Sequence, residues 1–289
     1  VDLFAGVRAV ELRDDRVAIA DFRHLAPRAH AALWCRLRSG MHMTTRDEPC
    51  ATRVVIVGGG IGGTTVAKRL ANDPRFEITL IDRQNHYVFQ PLLYQVATAA
   101  LGSADIAVPI RHMLRDAANV AVLQGEVRGI RAHARLVDTD AGPVHYDALV
   151  VAAGVEPSWF GREDWASVAP GLKTLDDAAK IRERVLAAFE RAEATTDANE
   201  RARQLTFVVV GGGPTGVELA GALSELAHDA LRRDFRRIDT RQARIVLDVA
   251  GPRLMPRFHP DLSASAADDL RARGVEERLD TRLTGNAPD

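Results

Sequence analysis

The chain has 289 residues, which is enough for about two domains. With 46% hydrophobic and 27% charged residues, its composition is that of a globular protein able to build real cores. The net charge of −1 gives no electrostatic reason to expect a nucleic-acid partner or an anionic surface.

Residues 1–50 differ from the rest of the chain. They contain a basic, aromatic-containing segment that Pro27 interrupts. One interpretation is an interfacial amphipathic helix with Leu33, Trp34 and Leu37 on one side. The other, which we favour, is an N-terminal extension that is unstructured or lies outside the fold.

The only two cysteines, Cys35 and Cys50, also belong to this segment and lack CxxC spacing. No disulfide framework or zinc site is therefore expected, and this cysteine usage is typical of a reducing cytoplasm. Acidic residues and arginines interrupt residues 2–23, so the start does not have the pattern of a signal peptide. No stretch reaches the roughly 18 consecutive apolar residues of a membrane-spanning helix.

The segment RVVIVGGGIGGTTVAKRL, at 53–70, predicts a β-strand, a glycine-rich turn and a helix. Residues 54–57 are apolar and β-branched, as in a fully buried strand. In the GxGxxG motif, Gly58 allows the tight turn, Gly60 lets the backbone approach phosphates, and Gly63 lets helix and strand pack closely. The free N–H groups and the dipole at the helix start favour negative charge, so the order predicts a dinucleotide pyrophosphate site.

A second buried strand is predicted at 78–81, and it ends in Asp82. A carboxylate at this position is placed to hydrogen-bond an adenosine ribose hydroxyl. The alternative is a glycine-rich turn in an ordinary α/β protein, which the strand, helix and acid together disfavour.

The segment that follows, 83–106, shows little strand or helix periodicity but many aromatic and amide side chains. Such a loop either lines a ligand site or packs on its own aromatics. Further on, the pattern predicts a short helix at 110–115 and a buried strand at 146–153 that Gly154 ends. The runs between them predict a small antiparallel element at 120–123, 126–130 and 136–138.

The second half of the chain repeats the strand–glycine–helix order. A buried strand at 205–210 runs into Gly211, Gly213 and Gly216, and an apolar helix follows at 217–227. Pro214 suits the first helical position, because its missing N–H would be unpaired there. The other elements predicted in this half are helices at 176–193 and 262–273, strands at 245–249 and 275–279, and a polar stretch at 195–204.

Two such units in one chain imply two dinucleotides. The common chemical reason for two is electron transfer from a nicotinamide to a flavin. A flavin enzyme that reduces disulfides would carry a redox cysteine pair after the first glycine motif, and this sequence has none there. Nine histidines are present without metal-ligand spacing, so no metal site is expected.

Residues 51–284 resemble the type II, non-proton-pumping NADH:quinone oxidoreductases of the pyridine nucleotide-disulfide oxidoreductase superfamily. Four stretches carry the resemblance: VVIVGGGIGG, HYVFQPLLYQVATAALGSADIAVPIR, APGLKTLDDAAKIRERVLAAFERAE and LTFVVVGGGPTGVELAGALSELA. The resemblance implies an α/β fold of two Rossmann-like units, the first part of an FAD domain at 51–170 and an inserted NAD(P)H domain at 171–289. It implies FAD and NADH as cofactors, with a hydride passing from NADH to FAD and electrons going on to a quinone.

The resemblance also implies roles for individual residues. For FAD these are Gly58, Gly60, Gly62, Gly63, Asp82, Arg83, Gln90, Pro91, Ala153 and Gly154, with Ala153 standing where the family usually has threonine. For NADH they are Gly211, Gly213, Pro214, Thr215, Gly216 and Glu218. Glu218 matches an acid that in the family lies near the nicotinamide and flavin rings and is implicated in hydride or quinone chemistry. Its alternative role is that of a first-turn glutamate favoured by the helix dipole.

Two departures from the family pattern are visible. The strand before the second ribose usually ends in Val-Glu-Ala-Gly, whereas Asp248 and Val249 precede Ala-Gly in this chain. Because side chains alternate along a strand, Asp248 should point away from the ribose. Unless the strand register slips, ribose recognition and the preference for NADH over NADPH are weakened. The family's later flavin-contacting acid, quinone-site helix and C-terminal membrane helices have no counterpart before residue 289. We therefore expect a truncated chain with an incomplete FAD domain.

Two functional hypotheses follow. One is an FAD-dependent NADH:quinone oxidoreductase, and the other is a truncated nucleotide-binding fragment that turns nothing over. The expected partners are NADH and a quinone, without nucleic acid. The expected location is cytoplasmic. Family analogy adds a homodimer and peripheral association with the cytoplasmic membrane face, although the family's membrane anchor is expected to be absent here.

Overall fold

The computed structural model describes residues 51–159 and 161–284. The predicted N-terminal extension and both cysteines lie outside the described residues. The described residues form an α/β fold with parallel sheets, which confirms the predicted fold class. They divide into two compact units, the first made of 51–88 and Ala107–Val155, the second of Phe89–Ile106 and 156–284.

Most of the strands belong to the first unit and most of the helices to the second. The strands are β1 (Thr52–Val57), β2 (Phe76–Asp82), β3 (His86–Val88), β4 (Ala107–Pro109), β5 (Val120–Gln124), β6 (Val127–Arg131), β7 (Leu136–Thr139), β8 (Gly142–His145), β9 (Ala148–Val151), β10 (Thr206–Val210), β11 (Arg244–Asp248) and β12 (Val275–Arg278). The helices are α1 (Ile61–Leu70), α2 (Leu93–Ala97), α3 (Ser103–Ile106), α4 (Ile110–Met113), α5 (Leu175–Ala194), α6 (Ala198–Gln204), α7 (Pro214–His228) and α8 (Pro260–Ala272). Short 3₁₀ helices lie at Gln90–Leu92, Glu163–Ser167, Ala230–Arg233 and Thr240–Gln242.

The first unit is built on a parallel sheet of order β5-β2-β1-β9. Its central strand β1 is buried on both faces. On one face, Val54 and Ile56 pack with Ala67 of α1. The alternate residues of β1 face a second cluster that contains Val137 of the antiparallel sheet β6-β7-β8. A strand covered on both sides needs apolar residues at every position, which explains the continuous run at 54–57.

The predicted antiparallel element is partly wrong. The runs in β6 and β7 do form an antiparallel sheet with β8, but β5 pairs parallel with β2 instead. Pairing with β2 lets Val120 and Val122 pack against the core that contains Ile78 and Leu80. A short apolar run cannot show by itself which neighbour it pairs with, since either partner gives it the same local pattern.

The aromatic segment 83–106 is more regular than its sequence indicates. β3 pairs antiparallel with β4, and residues 93–97 form the helix α2. Leu93, Val96 and Ala97 of that helix are buried, at the helical spacing of three and four residues. Within the second unit, α2 packs against α5 and α7. The expectation of little periodicity is therefore corrected.

The second unit is built on a parallel sheet of order β10-β11-β12. Its core gathers buried side chains from the sheet, from α5 and from α7, with Phe189, Ile245 and Leu247 almost fully covered. The predicted strands and helices of this half are present. The polar stretch before β10 also contains the helix α6, whose start Asp197 caps by accepting from Asn199 N–H at 2.8 Å.

No helix in residues 51–159 and 161–284 combines the length and apolar composition needed to cross a bilayer.

The start of α5 is held by a capping box, and its removal gives a first testable prediction. Thr174 Oγ1 accepts from Asp177 N–H at 3.1 Å, while the Asp177 carboxylate accepts from Thr174 N–H at 2.9 Å. Thr174→Ala is expected to lower the free energy of unfolding by about 1 kcal/mol, since one helix N–H loses its acceptor. Urea denaturation followed by circular dichroism measures this. Thr174→Ser keeps the acceptor and serves as the control; an equal loss in both variants would contradict the capping role.

Candidate nucleotide-binding sites

The first glycine turn depends on close backbone approach. Gly58 has φ +104°, and its N–H donates to Ile81 O at 2.8 Å. A Cβ at Gly58 would overlap the carbonyl oxygen of Ala152, and a Cβ at Gly63 would overlap the carbonyl oxygen of Gly58. The turn, the start of α1 and the residues after β9 thus meet at distances that only glycine permits.

The N-terminus of α1 is open to a ligand. The helix begins after Gly60 without a side-chain cap, and a Cβ at Gly60 would meet nothing within 4 Å. By contrast, side chains of Thr174 and Asp197 cap α5 and α6. Uncapped N–H groups beside a glycine turn are the feature that binds a phosphate, so these residues fit a dinucleotide pyrophosphate.

Asp82, the predicted ribose ligand, also braces the glycine turn. Its carboxylate accepts from Gly59 N–H at 2.5 Å and from Gln84 N–H at 2.7 Å. An ionised carboxylate has about four lone-pair sites, so each oxygen can still accept a ribose hydroxyl. The ribose contact stays a prediction. The bracing role was missed by the sequence analysis, because it depends on a contact across the turn.

The residues after β9 lie against the same turn. A Cβ at Gly58 would stand 3.0 Å from the backbone nitrogen of Ala153, and one at Gly62 would stand 3.6 Å from Ala152 Cβ. Gly154 follows with φ +77°, a backbone conformation that favours glycine. The structure therefore brings the predicted residues Gly62 and Ala153 to the first glycine turn, and Gly154 directly follows Ala153.

Three further residues predicted for FAD lie outside that turn. Arg83 directly follows β2 and is exposed. Gln90 and Pro91 form part of a 3₁₀ helix that belongs to the second compact unit. There Gln90 Oε1 accepts from Lys173 Nζ at 3.0 Å. The sequence analysis gave Lys173 no role, because the two residues are far apart in the chain.

The second glycine turn reproduces the geometry of the first. Gly211 has φ +112°, and a Cβ at Gly216 would overlap its carbonyl oxygen. The helix α7 begins after Gly213 without a side-chain cap, and Pro214 occupies its first turn as predicted. Thr215 follows, exposed, at the open end of the helix. These residues also fit a dinucleotide pyrophosphate.

The strand end beside this turn differs from its counterpart. Val210 pairs with Asp248 in β11 as Val57 pairs with Ile81 in β2, and Gly211 N–H donates to Asp248 O at 2.8 Å. Asp248 therefore corresponds to the buried Ile81. Its side chain is 5% exposed, and its Oδ1 has no hydrogen-bond partner among the described residues. Asp248 thus takes the buried position that the alternation of side chains predicts, and its orientation to a ribose stays a prediction.

Glu218 projects from α7 and is exposed. The first turn of α7 contains no acidic residue, so the alternative role of a first-turn glutamate is wrong. Partial desolvation raises the pKa of Glu218 above its ordinary value. A carboxyl with a raised pKa near the start of the helix that follows the second glycine turn is a candidate for proton exchange.

The chain is similar to known proteins in sequence and in fold. A sequence profile described as pyridine nucleotide-disulphide oxidoreductase matches residues 52–288. Two type II NADH:quinone oxidoreductases of Mycobacterium tuberculosis, Ndh and NdhA, are 44% and 47% identical over 84% and 82% of this chain. The solved structure of NDH2 from Plasmodium falciparum in complex with NADH is similar in fold, with a TM-score of 0.72 at 23% identity over 79% of this chain and 48% of that one.

The two mycobacterial proteins are longer than the matched region. The alignments cover 54% of Ndh and 52% of NdhA, so the chain spans about half the length of these curated relatives. The resemblance identified in the sequence is confirmed over that half.

Proposed function

Because this chain belongs to the pyridine nucleotide-disulphide oxidoreductase family, we propose that it acts in the oxidation of NADH by a quinone. In this proposal the first glycine turn binds FAD and the second binds the nicotinamide nucleotide. The observation that carries the proposal is the repetition of one cradle: two parallel strands, a glycine turn and an uncapped helix, present twice in the chain.

Bound FAD would supply the hydride-accepting chemistry. The chain's own residues bind and orient the nucleotides. The N–H groups at the starts of α1 and α7 hold phosphates, and Asp82 accepts from a ribose hydroxyl while it keeps Gly59 in place. Each glycine turn orients its own nucleotide, which lowers the entropic cost of reaching a reactive geometry.

Purified chain tests this proposal directly. We expect the visible flavin absorption bands after purification or after incubation with FAD, and NADH-dependent reduction of a soluble quinone. Binding of both nucleotides without turnover would favour the alternative of an inactive nucleotide-binding fragment. Absence of binding by either unit would overturn the proposal.

Glu218 gives a prediction that separates chemistry from binding. With FAD-loaded protein, Glu218→Gln is expected to lower kcat by about tenfold or more and to leave the Kd for NADH unchanged. The pH profile of kcat should show an ionisation above the ordinary glutamate pKa, which the variant lacks, since desolvation raises the pKa of Glu218. Glu225→Gln on the same helix is the control; equal losses in both variants would contradict a specific role.

We also propose peripheral association with the cytoplasmic membrane face, since quinones dissolve in the lipid phase, and a homodimer by family analogy. Co-sedimentation with lipid vesicles tests the first and analytical ultracentrifugation tests the second. Protein that stays in the supernatant, or sediments only as a monomer, would contradict the respective proposal.

A further inference from the structure

The end of β11 is where the two nucleotide sites of this chain differ in chemistry. Val249 takes the position that Asp82 has in the first unit, as the matching strand registers show. The contacts of the two side chains agree. A Cβ at Gly59 would stand 3.3 Å from Asp82 Cβ and Oδ2, and a Cβ at Gly212 would stand 2.7 Å from Val249 Cγ1. An apolar side chain therefore stands where the first site has its carboxylate.

The register at Val249 is fixed by two backbone hydrogen bonds to β12 and the residues that follow it. Val249 N–H donates to Arg278 O at 2.9 Å, and Val249 O accepts from Thr281 N–H at 2.9 Å. A slip of one residue, which would be needed to turn Asp248 towards the glycine turn, would break both bonds and the β11–β12 ladder. Asp248 thus cannot replace the missing acid.

The side chain of Asp248 lies on the face of the strand opposite to that of Val249. Asp248 lies beside Arg278 in the parallel ladder. The Glu276 carboxylate, with a smaller contribution from Asp248, raises the pKa of the Arg278 guanidinium. Asp248 of β11 therefore lies beside Arg278 of β12, on the face of the strand opposite to Val249.

We propose that the second site binds NADPH as readily as NADH, and that Val249 is the residue responsible. The inference rests on the proposed role of this unit as the nicotinamide-nucleotide site. A carboxylate at this position accepts a hydrogen bond from the ribose 2′-hydroxyl and repels a 2′-phosphate. Valine does neither, so NADH loses a favourable contact and NADPH meets no opposing charge.

The loop after β11 contains Arg253, whose guanidinium is not free to make NADPH bind more tightly than NADH. Arg253 is the cation that a 2′-phosphate could recruit, but its guanidinium is already hydrogen-bonded to its own loop and to the helix α8. It donates to Pro256 O at 2.6 Å, to Ser263 Oγ at 2.9 Å and to Phe258 O at 3.1 Å. Contact between Arg253 and a 2′-phosphate would break these hydrogen bonds, so the affinity for NADPH should exceed that for NADH by little.

Equilibrium titrations of the purified chain with NADH and NADPH, followed by nicotinamide fluorescence, test the inference without turnover. The two Kd values of the wild-type chain should agree within about threefold. Val249→Glu should tighten the binding of NADH and weaken the binding of NADPH. The ratio of the two Kd values should shift by about a hundredfold in favour of NADH. Val249→Gln has nearly the same size without the charge, so its ratio should shift by less than about tenfold.

Two results would overturn the inference while leaving the proposed function intact. These are a wild-type preference for NADH above about tenfold, or an unchanged ratio in a folded Val249→Glu variant. Failure to bind either nucleotide would overturn both the inference and the nucleotide role of this unit. Val249 is buried, so thermal unfolding of each variant is measured in parallel. The wild-type ratio tests the inference even if a variant does not fold.

Discussion

Replacement of Gly216 by alanine is expected to destabilise the second unit by about 3 kcal/mol. The added Cβ would overlap the carbonyl oxygen of Gly211, and it would stand 3.6 Å from Leu247 Cδ1. The obstructing oxygen belongs to the backbone of the turn, and Gly211 N–H is itself bound to Asp248 O at 2.8 Å. Relief therefore requires the helix α7 to move away from the sheet. Urea denaturation, with the midpoint and slope compared with wild type, measures the loss.

Gly213→Ala is the matched control for Gly216. Gly213 has φ −76°, which alanine adopts freely, and a Cβ there would meet nothing within 4 Å. The free energy of unfolding should change by less than about 1 kcal/mol. Nucleotide binding should nevertheless weaken by about tenfold or more, because the methyl group occupies the space over which a pyrophosphate approaches. Equal stability of the two variants would contradict the assigned roles of these glycines.

Phe189→Ala is expected to lower the free energy of unfolding by about 4 kcal/mol, which is the second large effect. Phe189 of α5 is 1% exposed. Its ring centroid lies 5.3 Å from that of Phe207 on β10 and 5.9 Å from that of Phe235. Truncation removes the apolar contacts and leaves a cavity between the helix and the sheet, which the surrounding backbone cannot fully close. Thermal and urea unfolding both measure the loss.

Phe258→Ala supplies the control for that prediction. Phe258 is 47% exposed, so truncation leaves no enclosed cavity and should cost less than about 1 kcal/mol. A comparable loss in both variants would show that the ring cluster around Phe189 does not stabilise the unit as described.

Much of the candidate sites is visible in the sequence because their signals are local. The spacing of Gly58, Gly60 and Gly63 defines a turn and a close packing contact within a few residues. The position of Asp248 relative to the ribose also follows from a local rule, the alternation of side chains along a strand. The structure adds the internal comparison with Asp82, which identifies Val249 as the substituted residue.

Other functional contacts needed the folded chain. Gln90 and Lys173 meet at 3.0 Å although a long stretch of chain separates them. Asp82 accepts from Gly59 N–H only because β1 and β2 lie side by side. No periodicity in the sequence encodes such a pair, since each partner satisfies its own local pattern without the other.

By itself, the sequence determined the α/β class and the two strand–glycine–helix units, because glycine spacing and hydrophobic periodicity act over a few residues. Only the tertiary structure decided that β5 pairs with β2 and that residues 93–97 form a helix packed against α5 and α7. These outcomes depend on which distant apolar surfaces cover each other. Which surfaces pair depends on the free energy of burying the whole core, and the sequence of a single segment does not determine that free energy.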